Sequence, residues 1–257
     1  MKPLCSAMLR IKNESRWIRQ VLESIYPICH RIFILDDHST DNTIQICQEF
    51  SNVVLIQSPF DTLDESRDKN WLYDQVLSSP LYAGFQWPEW LICIDGDEVL
   101  DERDRDLLVS DFKNPDAVAY KLQILYMWSD KTIRIDGVYR HFCRPSAFRI
   151  INPDFRFLTT PFGNGANFHC SSIPQELLYQ AAESKARLIH LGYIDREIRL
   201  RKWKWYNSID PRNVGEGYDS RHPERGSYPH IVQGDIREVP AHIKLMHAGP
   251  LKLAPFQ

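Results

Sequence analysis

The chain contains no apolar run that approaches the roughly 20 residues needed to cross a bilayer, no internal repeat and no low-complexity tract. Its six cysteines include no CxxC pair and no zinc-type spacing, so neither a structural zinc site nor a dithiol redox motif is expected. No charge excess exists either: 31 basic against 34 acidic residues leave a net charge of −3. Such a chain has no global attraction to nucleic acid or to an anionic membrane, and contact with either would need a local patch. Nothing around Met1-Lys2-Pro3 resembles a signal peptide. Cys5, Cys47 and Cys93 lie inside apolar segments, where free cysteine acts as a small hydrophobe. Reduced core cysteines imply a cytoplasmic setting. What remains is ordinary for a globular protein, with 43% hydrophobic and 25% charged residues in 257.

The first hundred residues alternate between strand and helix patterns. Residues 4–9, 31–35, 53–57 and 90–94 are short apolar runs. Between them, residues 14–25 place Trp17, Ile18, Val21, Leu22 and Ile25 on one helical face, and residues 42–50 roughly align Ile44, Cys47 and Phe50. Ser39, Thr40 and Asp41 are suited to cap that second helix. Alternation of this kind implies an α/β fold with a mostly parallel central sheet and helices on both faces. Residues 117–127, 133–142 and 148–151 look like longer strands in antiparallel pairing, and residues 152–172 are loop-like. A basic and aromatic helix is expected over 196–206, and residues 210–234 have no clear period, as in a lid or mobile segment. The expected division is a ligand-binding half over residues 1–116 and a smaller antiparallel, loop-rich half over 117–257.

Two strands end on carboxylates. Asp36-Asp37 follows the second, and Asp95-Gly96-Asp97-Glu98 follows the fourth. In parallel sheets ligands bind at the carboxyl ends of strands, so the two motifs can converge on one crevice. Carboxylates two apart at the end of a buried strand must face solvent or share a cation. Hard oxygen ligands suit Mg²⁺ or Mn²⁺, which commonly bring substrate phosphates with them. The competing reading is a polar turn, for which Asp-Gly is a favoured pair.

The run Leu9-Arg10-Ile11-Lys12-Asn13-Glu14, then Ile34-Leu35-Asp36-Asp37-His38-Ser39-Thr40-Asp41-Asn42-Thr43, then Asp95-Gly96-Asp97-Glu98 occurs in one order over residues 4–100. In this the chain resembles the family 2 glycosyltransferases of GT-A (Rossmann-like) fold, similar to the branch that decorates bacterial surface polysaccharides. A weaker echo runs through His169 and Leu188-Ile189-His190-Leu191-Gly192-Tyr193. The resemblance implies transfer of a sugar from a nucleotide donor, with UDP favoured, to a hydroxyl of a glycan or lipid-linked glycan, with inversion.

It also implies roles. Asp36 would meet the base or ribose, with Asp37, Asn13 and Glu14 as further nucleotide contacts and Arg67, near Lys69 and Asn70, approaching the base or diphosphate. Asp97 would ligate Mn²⁺ or Mg²⁺. Asp95 would meet the ribose or a metal-bound water, and His190 would be a metal ligand or diphosphate contact. For Ser39 and Asp41 helix capping is preferred, and for Glu14 a first-turn charge is an equal alternative. Helix 196–206 is open to diphosphate contact; against peripheral membrane association, a peripheral helix whose aromatic side packs and whose cations stay hydrated is preferred.

The base that would take the acceptor proton is not determined. Related enzymes carry a His-Glu pair near His169, but Cys170 follows here, so His169, Asp136, Glu98 and Glu176 all stay candidates. A sugar-phosphate nucleotidyltransferase would need a glycine-rich loop after the first strand, where this chain has Leu9–Ser15 without glycine. A non-catalytic relative that binds glycans or partners remains the other alternative.

Overall fold

The computed structural model describes residues 5–80, 89–158, 170–199, 201–202 and 244–249. Strands β1 (Cys5–Ile11), β2 (Cys29–Asp36), β3 (Val53–Gln57) and β4 (Trp90–Cys93) pair in parallel, in the spatial order β3-β2-β1-β4. The sheet then continues through β8 (Cys143–Arg149), β6 (Ala119–Tyr126), β9 (Ala181–His190) and β5 (Glu98–Leu100). β8 is antiparallel to both β4 and β6, β6 and β9 are parallel, and β5 is antiparallel to β9. A second, two-stranded sheet pairs β7 (Thr132–Arg134) with β10 (Leu245–His247). The expected α/β architecture with a mostly parallel central sheet is present, and the β4–β8 pairing joins its two halves without a break.

The central strands are buried on both faces. In β2, Ile32 and Ile34 enter one apolar cluster while Phe33 and Leu35 enter another. In β4, Trp90 and Ile92 face the first cluster, and Leu91 and Cys93 the second. This is the period-2 alternation of a strand with no wet side. Helix α1 (Ile18–Ile25) covers the first face with Ile18, Val21, Leu22 and Ile25, beside α2 (Thr43–Cys47) and α4 (Arg105–Asp111). Helix α3 (Glu65–Leu77) covers the other with Leu72, Tyr73 and Val76. Cys5, Cys29, Cys47 and Cys93 are buried free thiols. Among the described residues no helix is long and apolar enough to cross a membrane.

Several boundaries differ from expectation. Helix α1 starts at Ile18, because Glu14 forms a turn whose carbonyl accepts from the N–H groups of Trp17 and Ile18. Helix α2 is shorter than 42–50, and its N-cap Asn42 makes no side-chain cap. The strand expected over 133–142 ends at Arg134 and gives way to a 3-10 turn, Gly137–Arg140. Asp136-Gly137 breaks it, with Gly137 at φ 49°, a conformation glycine adopts without strain. The strand expected at 148–151 is the end of β8, which closes before Asn152-Pro153. Helical residues begin at Arg196, while residues 203–206 and the irregular stretch 210–234 lie outside the described residues.

The order of strands has a functional corollary. From β1 the chain moves outward through β2 and β3, then returns to place β4 on the opposite side of β1. The strand order therefore reverses between β1 and β4, and the carboxyl ends at such a switch point are the usual ligand position in open α/β sheets.

Trp90 fixes this centre. Its ring stacks on Phe112 at 4.7 Å, and its indole N–H donates to the Phe112 carbonyl at 2.9 Å. Trp90→Ala is expected to destabilise the fold by about 3–5 kcal/mol through the cavity and the lost stack, as measured by urea denaturation at equilibrium.

Candidate active site

The loops after β1 and β2 are tied together by backbone donors and side-chain acceptors. The Asn13 N–H donates to Ser39 Oγ at 2.8 Å, and the Thr40 N–H donates to Asn13 Oδ1 at 2.7 Å. Glu14 N–H donates to Thr43 Oγ1 at 2.8 Å, and Ser15 N–H to Asp41 Oδ2 at 3.1 Å. Ser39 thus braces the first loop and does not cap α2. Asp41 accepts from the Thr43 N–H at 3.0 Å while also holding Ser15. Asn13 and His38, one in each loop, have φ of 55° and 57°. Left-handed backbone at non-glycine positions is uncommon and clusters at functional sites.

Asp36 lies at the foot of these loops, fully buried at the end of β2. Its Oδ2 accepts from the Ser39 N–H at 3.0 Å and from Gln57 Nε2 at 3.3 Å. Its Oδ1 is buried with no hydrogen-bond partner. A buried acceptor without a donor is costly, and an N–H or O–H brought by a ligand would satisfy it. Asp37 is used differently. It accepts from Arg10 at 2.7 Å and pairs with Lys12 at 3.6 Å, while Arg10 also donates to Asp68 at 2.9 Å.

The carboxylate motif after β4 packs against the β1 loop. A Cβ at Gly96 would lie 2.7 Å from Glu14 Cγ and 3.0 Å from Ile11 Cγ2, so the residue between the two aspartates must be small. Asp97, 7% exposed, pairs with the Lys202 ammonium at 2.8 Å and faces His190 Nε2 across 3.8 Å. Burial alone would raise the Asp97 carboxyl, but Lys202 and His190 outweigh it and hold the group below the usual carboxylate range. Burial lowers His190 to about 4, so its imidazole is neutral at pH 7. The Gly192 N–H donates to His190 Nδ1 at 3.1 Å, which leaves the ring proton on Nε2, pointing toward Asp97.

Glu98 is buried and bound to Arg144, which also donates to Asp95 at 3.0 Å. Glu98 accepts from the Asp95 N–H at 3.0 Å, locking the turn. Burial raises Glu98 to about 7 in spite of Arg144. Burial, with Asp97 adding to it, raises Glu14 to about 8. A small pocket beside the motif is lined by Met8, Arg10, Lys69, Cys93, Asp95 and Arg144. Sequence reasoning does not single out Arg144 or Lys202. A cation inside the apolar strand β8 is the available signal for the first, and the basic run after His190 for the second.

Four candidates are engaged structurally. Arg67 donates to Asp68 at 2.7 Å and lies over the Phe60 ring at 3.9 Å. Asn70 holds the Phe157 N–H and C=O at 2.9 and 2.8 Å. Asp136 accepts both of its closest bonds from Arg134, at 2.6 and 2.8 Å, and a third from the Lys244 N–H at 3.1 Å. Burial would raise its carboxyl, but the Arg134 bonds prevail and lower it, which makes it a weak base. Glu176 accepts from the Arg156 N–H at 3.3 Å. His169 lies outside the described residues, although the ends of its segment are placed. The Ser171 N–H donates to the Leu158 carbonyl at 2.9 Å, and the Cys170 N–H donates to Glu65 at 3.1 Å.

A family model described as Glycosyl transferase family 2 matches residues 6–172. The chain belongs to glycosyl transferase family 2. It is 25% identical over 227 residues to an uncharacterized protein of Mycobacterium tuberculosis, covering 83% of this chain and 53% of that protein. It is 24% identical over 189 residues to an uncharacterized glycosyltransferase of Rickettsia conorii, covering 72% and 58%. The chain thus spans little more than half the length of these relatives. Among solved structures, TarS of S. aureus (residues 1–349) superposes with a TM-score of 0.47 at 13% identity, over 80% of this chain and 66% of that one. Glucosyl-3-phosphoglycerate synthase from M. tuberculosis, in a complex with Mn²⁺, UDP-glucose and phosphoglyceric acid, gives 0.33 at 18% identity, over 48% and 43%.

For a family 2 chain the expected ligands are a nucleotide-sugar and a divalent cation, and the residues present fit both. The orphaned Asp36 Oδ1 suits a nucleoside donor group. Asp97 is a hard oxygen ligand that already holds a cation, the Lys202 ammonium. Among the described residues no three His, Cys, Asp or Glu side chains converge as a complete metal cage. That sparseness suits Mg²⁺ or Mn²⁺ bound through one or two carboxylates, water and substrate phosphate.

Gly192 closes the cluster. A Cβ there would lie 2.1 Å from Lys202 Nζ, 2.3 Å from Asp97 Oδ2 and 2.6 Å from His190 Cε1. Gly192→Ala is expected to weaken Mn²⁺–nucleotide binding by at least about tenfold, or about 1.4 kcal/mol, with an unchanged far-UV spectrum. Isothermal titration with UDP and Mn²⁺ measures it.

Proposed function

We propose that the chain is the catalytic domain of a metal-dependent glycosyltransferase that moves a sugar from a UDP-sugar to a hydroxyl of a glycan or lipid-linked glycan, with inversion. The observation that carries the donor side is Asp36, whose buried Oδ1 has no donor of its own while the metal motif stands across the β1 loop. The uracil N3–H or a ribose hydroxyl is a group of the right kind for that oxygen, and Asn13, Glu14 and Asp37 frame the same loops. The choice of UDP follows the family resemblance.

At the other end Asp97 is the metal ligand in this reading, with Asp95 beside it toward ribose or a metal-bound water. A divalent cation held there would neutralise charge on the diphosphate as the sugar departs. Because His190 carries its proton on Nε2, its role is donation of a hydrogen bond to a diphosphate oxygen, the second of the two roles open to it. Arg10, Lys69 and Arg144 add positive charge around the adjoining pocket, and Arg67 reinforces it through Asp68.

The acceptor proton requires a base within reach of the attacking hydroxyl. Asp136 is committed to Arg134, and Glu98, though raised to about 7, is buried against Arg144. His169 is therefore the base candidate to test first. Acceptor identity and any peripheral contact with a membrane rest on the resemblance alone.

UDP-sugar with Mn²⁺ is expected to raise the melting temperature, since a ligand bound only by the native state stabilises it. A panel of UDP, GDP, dTDP and CMP derivatives that leaves melting unchanged, with and without metal, defeats the donor-site reading. Asp97→Asn should abolish metal-dependent turnover with little effect on the fold; retention of full activity would remove Asp97 from the metal site. Asp36→Asn should weaken UDP by about tenfold or more, given the roughly 1.5–3 kcal/mol of a hydrogen bond to a charged group, as read by titration calorimetry.

A further inference from the structure

We infer that Lys202 is a built-in occupant of the cation position, bound to Asp97 until a diphosphate draws it away. The inference deepens the donor-site proposal and rests on it for the diphosphate. The Lys202 Nζ lies 2.8 Å from Asp97 Oδ2, on a carboxylate that is 9% exposed. A buried carboxylate with no partner is strongly disfavoured, so the chain supplies its own positive charge. The room for that ammonium comes from Gly192, since a Cβ there would fall 2.1 Å from Lys202 Nζ. Tyr193 offers its ring face to the same ammonium at 5.2 Å.

The segment that presents Lys202 is anchored one turn earlier. Asp195 accepts from the Ile198 N–H at 2.8 Å and pairs with Arg16 at 2.7 Å. Arg199 donates to the Trp128 carbonyl at 2.9 Å and lies over the Trp128 ring at 4.1 Å. Lys202 lies three residues beyond Arg199, with a flexible stem, so its head can leave Asp97 while the anchor holds.

A divalent cation on Asp97 Oδ2 needs the oxygen that Lys202 occupies. Metal binding to the nucleotide-free chain therefore has to displace the ammonium from this oxygen. A diphosphate changes this, because its oxygens accept from Lys202 as the cation takes over Asp97. Cation and diphosphate then strengthen each other's binding by the same factor, as linkage requires. Lys202 is the residue through which that coupling passes.

The test is Mn²⁺ affinity, read from the free-ion electron paramagnetic resonance signal, with and without UDP. The wild-type chain should bind Mn²⁺ at least about tenfold more tightly when UDP is present, the size of a typical coupling free energy. Lys202→Met and Lys202→Gln should each bind Mn²⁺ at least about tenfold more tightly than wild type without UDP, with a smaller gain on adding it. Lys202→Arg should keep the wild-type pattern, and Asp97→Asn should lose Mn²⁺ in every background. Equal Mn²⁺ affinity in wild type, Lys202→Met and Lys202→Gln overturns the inference. So does a wild-type Mn²⁺ affinity that UDP binds without changing. If the Lys202 variants bind Mn²⁺ more tightly but UDP binds to none of the proteins, the occupancy of Asp97 by Lys202 stands and the nucleotide-donor reading falls.

Discussion

Strands β1, β2 and β4 are buried on both faces, and a strand in that position has nowhere along its length to put a charged side chain. Polar groups are confined to its ends. Cys5, Ala7, Leu9 and Ile11 face one core and Met8 the other, and charged and polar residues gather toward the strand's end, at Arg10, Lys12, Asn13 and Glu14. The same constraint puts Asp36 at the end of β2 and Asp95 after β4. Because β4 returns to the opposite side of β1, these ends border one crevice. The polar cluster at these ends is thus a result of how the core is filled, and the loops need only carry the chain away from it.

Gathering carboxylates in one place costs free energy unless cations accompany them, and the structure compensates each locally. Arg144 spans Asp95 and Glu98, Lys202 lies on Asp97, and Arg10 spans Asp37 and Asp68. Two of these cations come from β8 and from the segment after β9, far along the chain from the carboxylates they meet. The N-terminal half therefore supplies the negative groups, and the later part of the chain supplies much of their compensation. Glu98 and Glu14 show how finely this is balanced, since burial, only partly offset by nearby cations, raises their carboxyls to about 7 and about 8.

How much of this is legible in the sequence follows from the same physics. The four parallel strands are readable, and so are the carboxylates that follow β2 and β4, because a continuous apolar run that stops on aspartate reads as a buried strand reaching its polar end. Helix α3 is not. Its first half, Glu65-Ser66-Arg67-Asp68-Lys69-Asn70, is polar throughout, yet Asp68 is buried beneath Arg10 and Arg67. Ion pairing makes a charged residue internal, which periodicity cannot anticipate. Strand β9 escapes notice for a related reason, since Ala181–Lys185 is largely exposed and only its later residues are apolar. Arg144 is not legible as a site residue, and Lys202 is legible only as one cation of a basic run, because their meaning depends on long-range pairing, over 46 and 105 positions.

The neck around Leu158 and Ser171 has an evolutionary consequence. Leu158 and Ser171 bond to each other through backbone and side chain, while Asn70, Ser66 and Glu65 of α3 grip Phe157 and Cys170 on either side. The residues that flank positions 159–169 are thus held together at one place. Closing a longer loop across fixed ends costs only about 0.6 kcal/mol per doubling of its length, so insertions there need not disturb the sheet. A single scaffold can in this way keep its carboxylate cluster unchanged while the sequence between residues 158 and 171 changes in length.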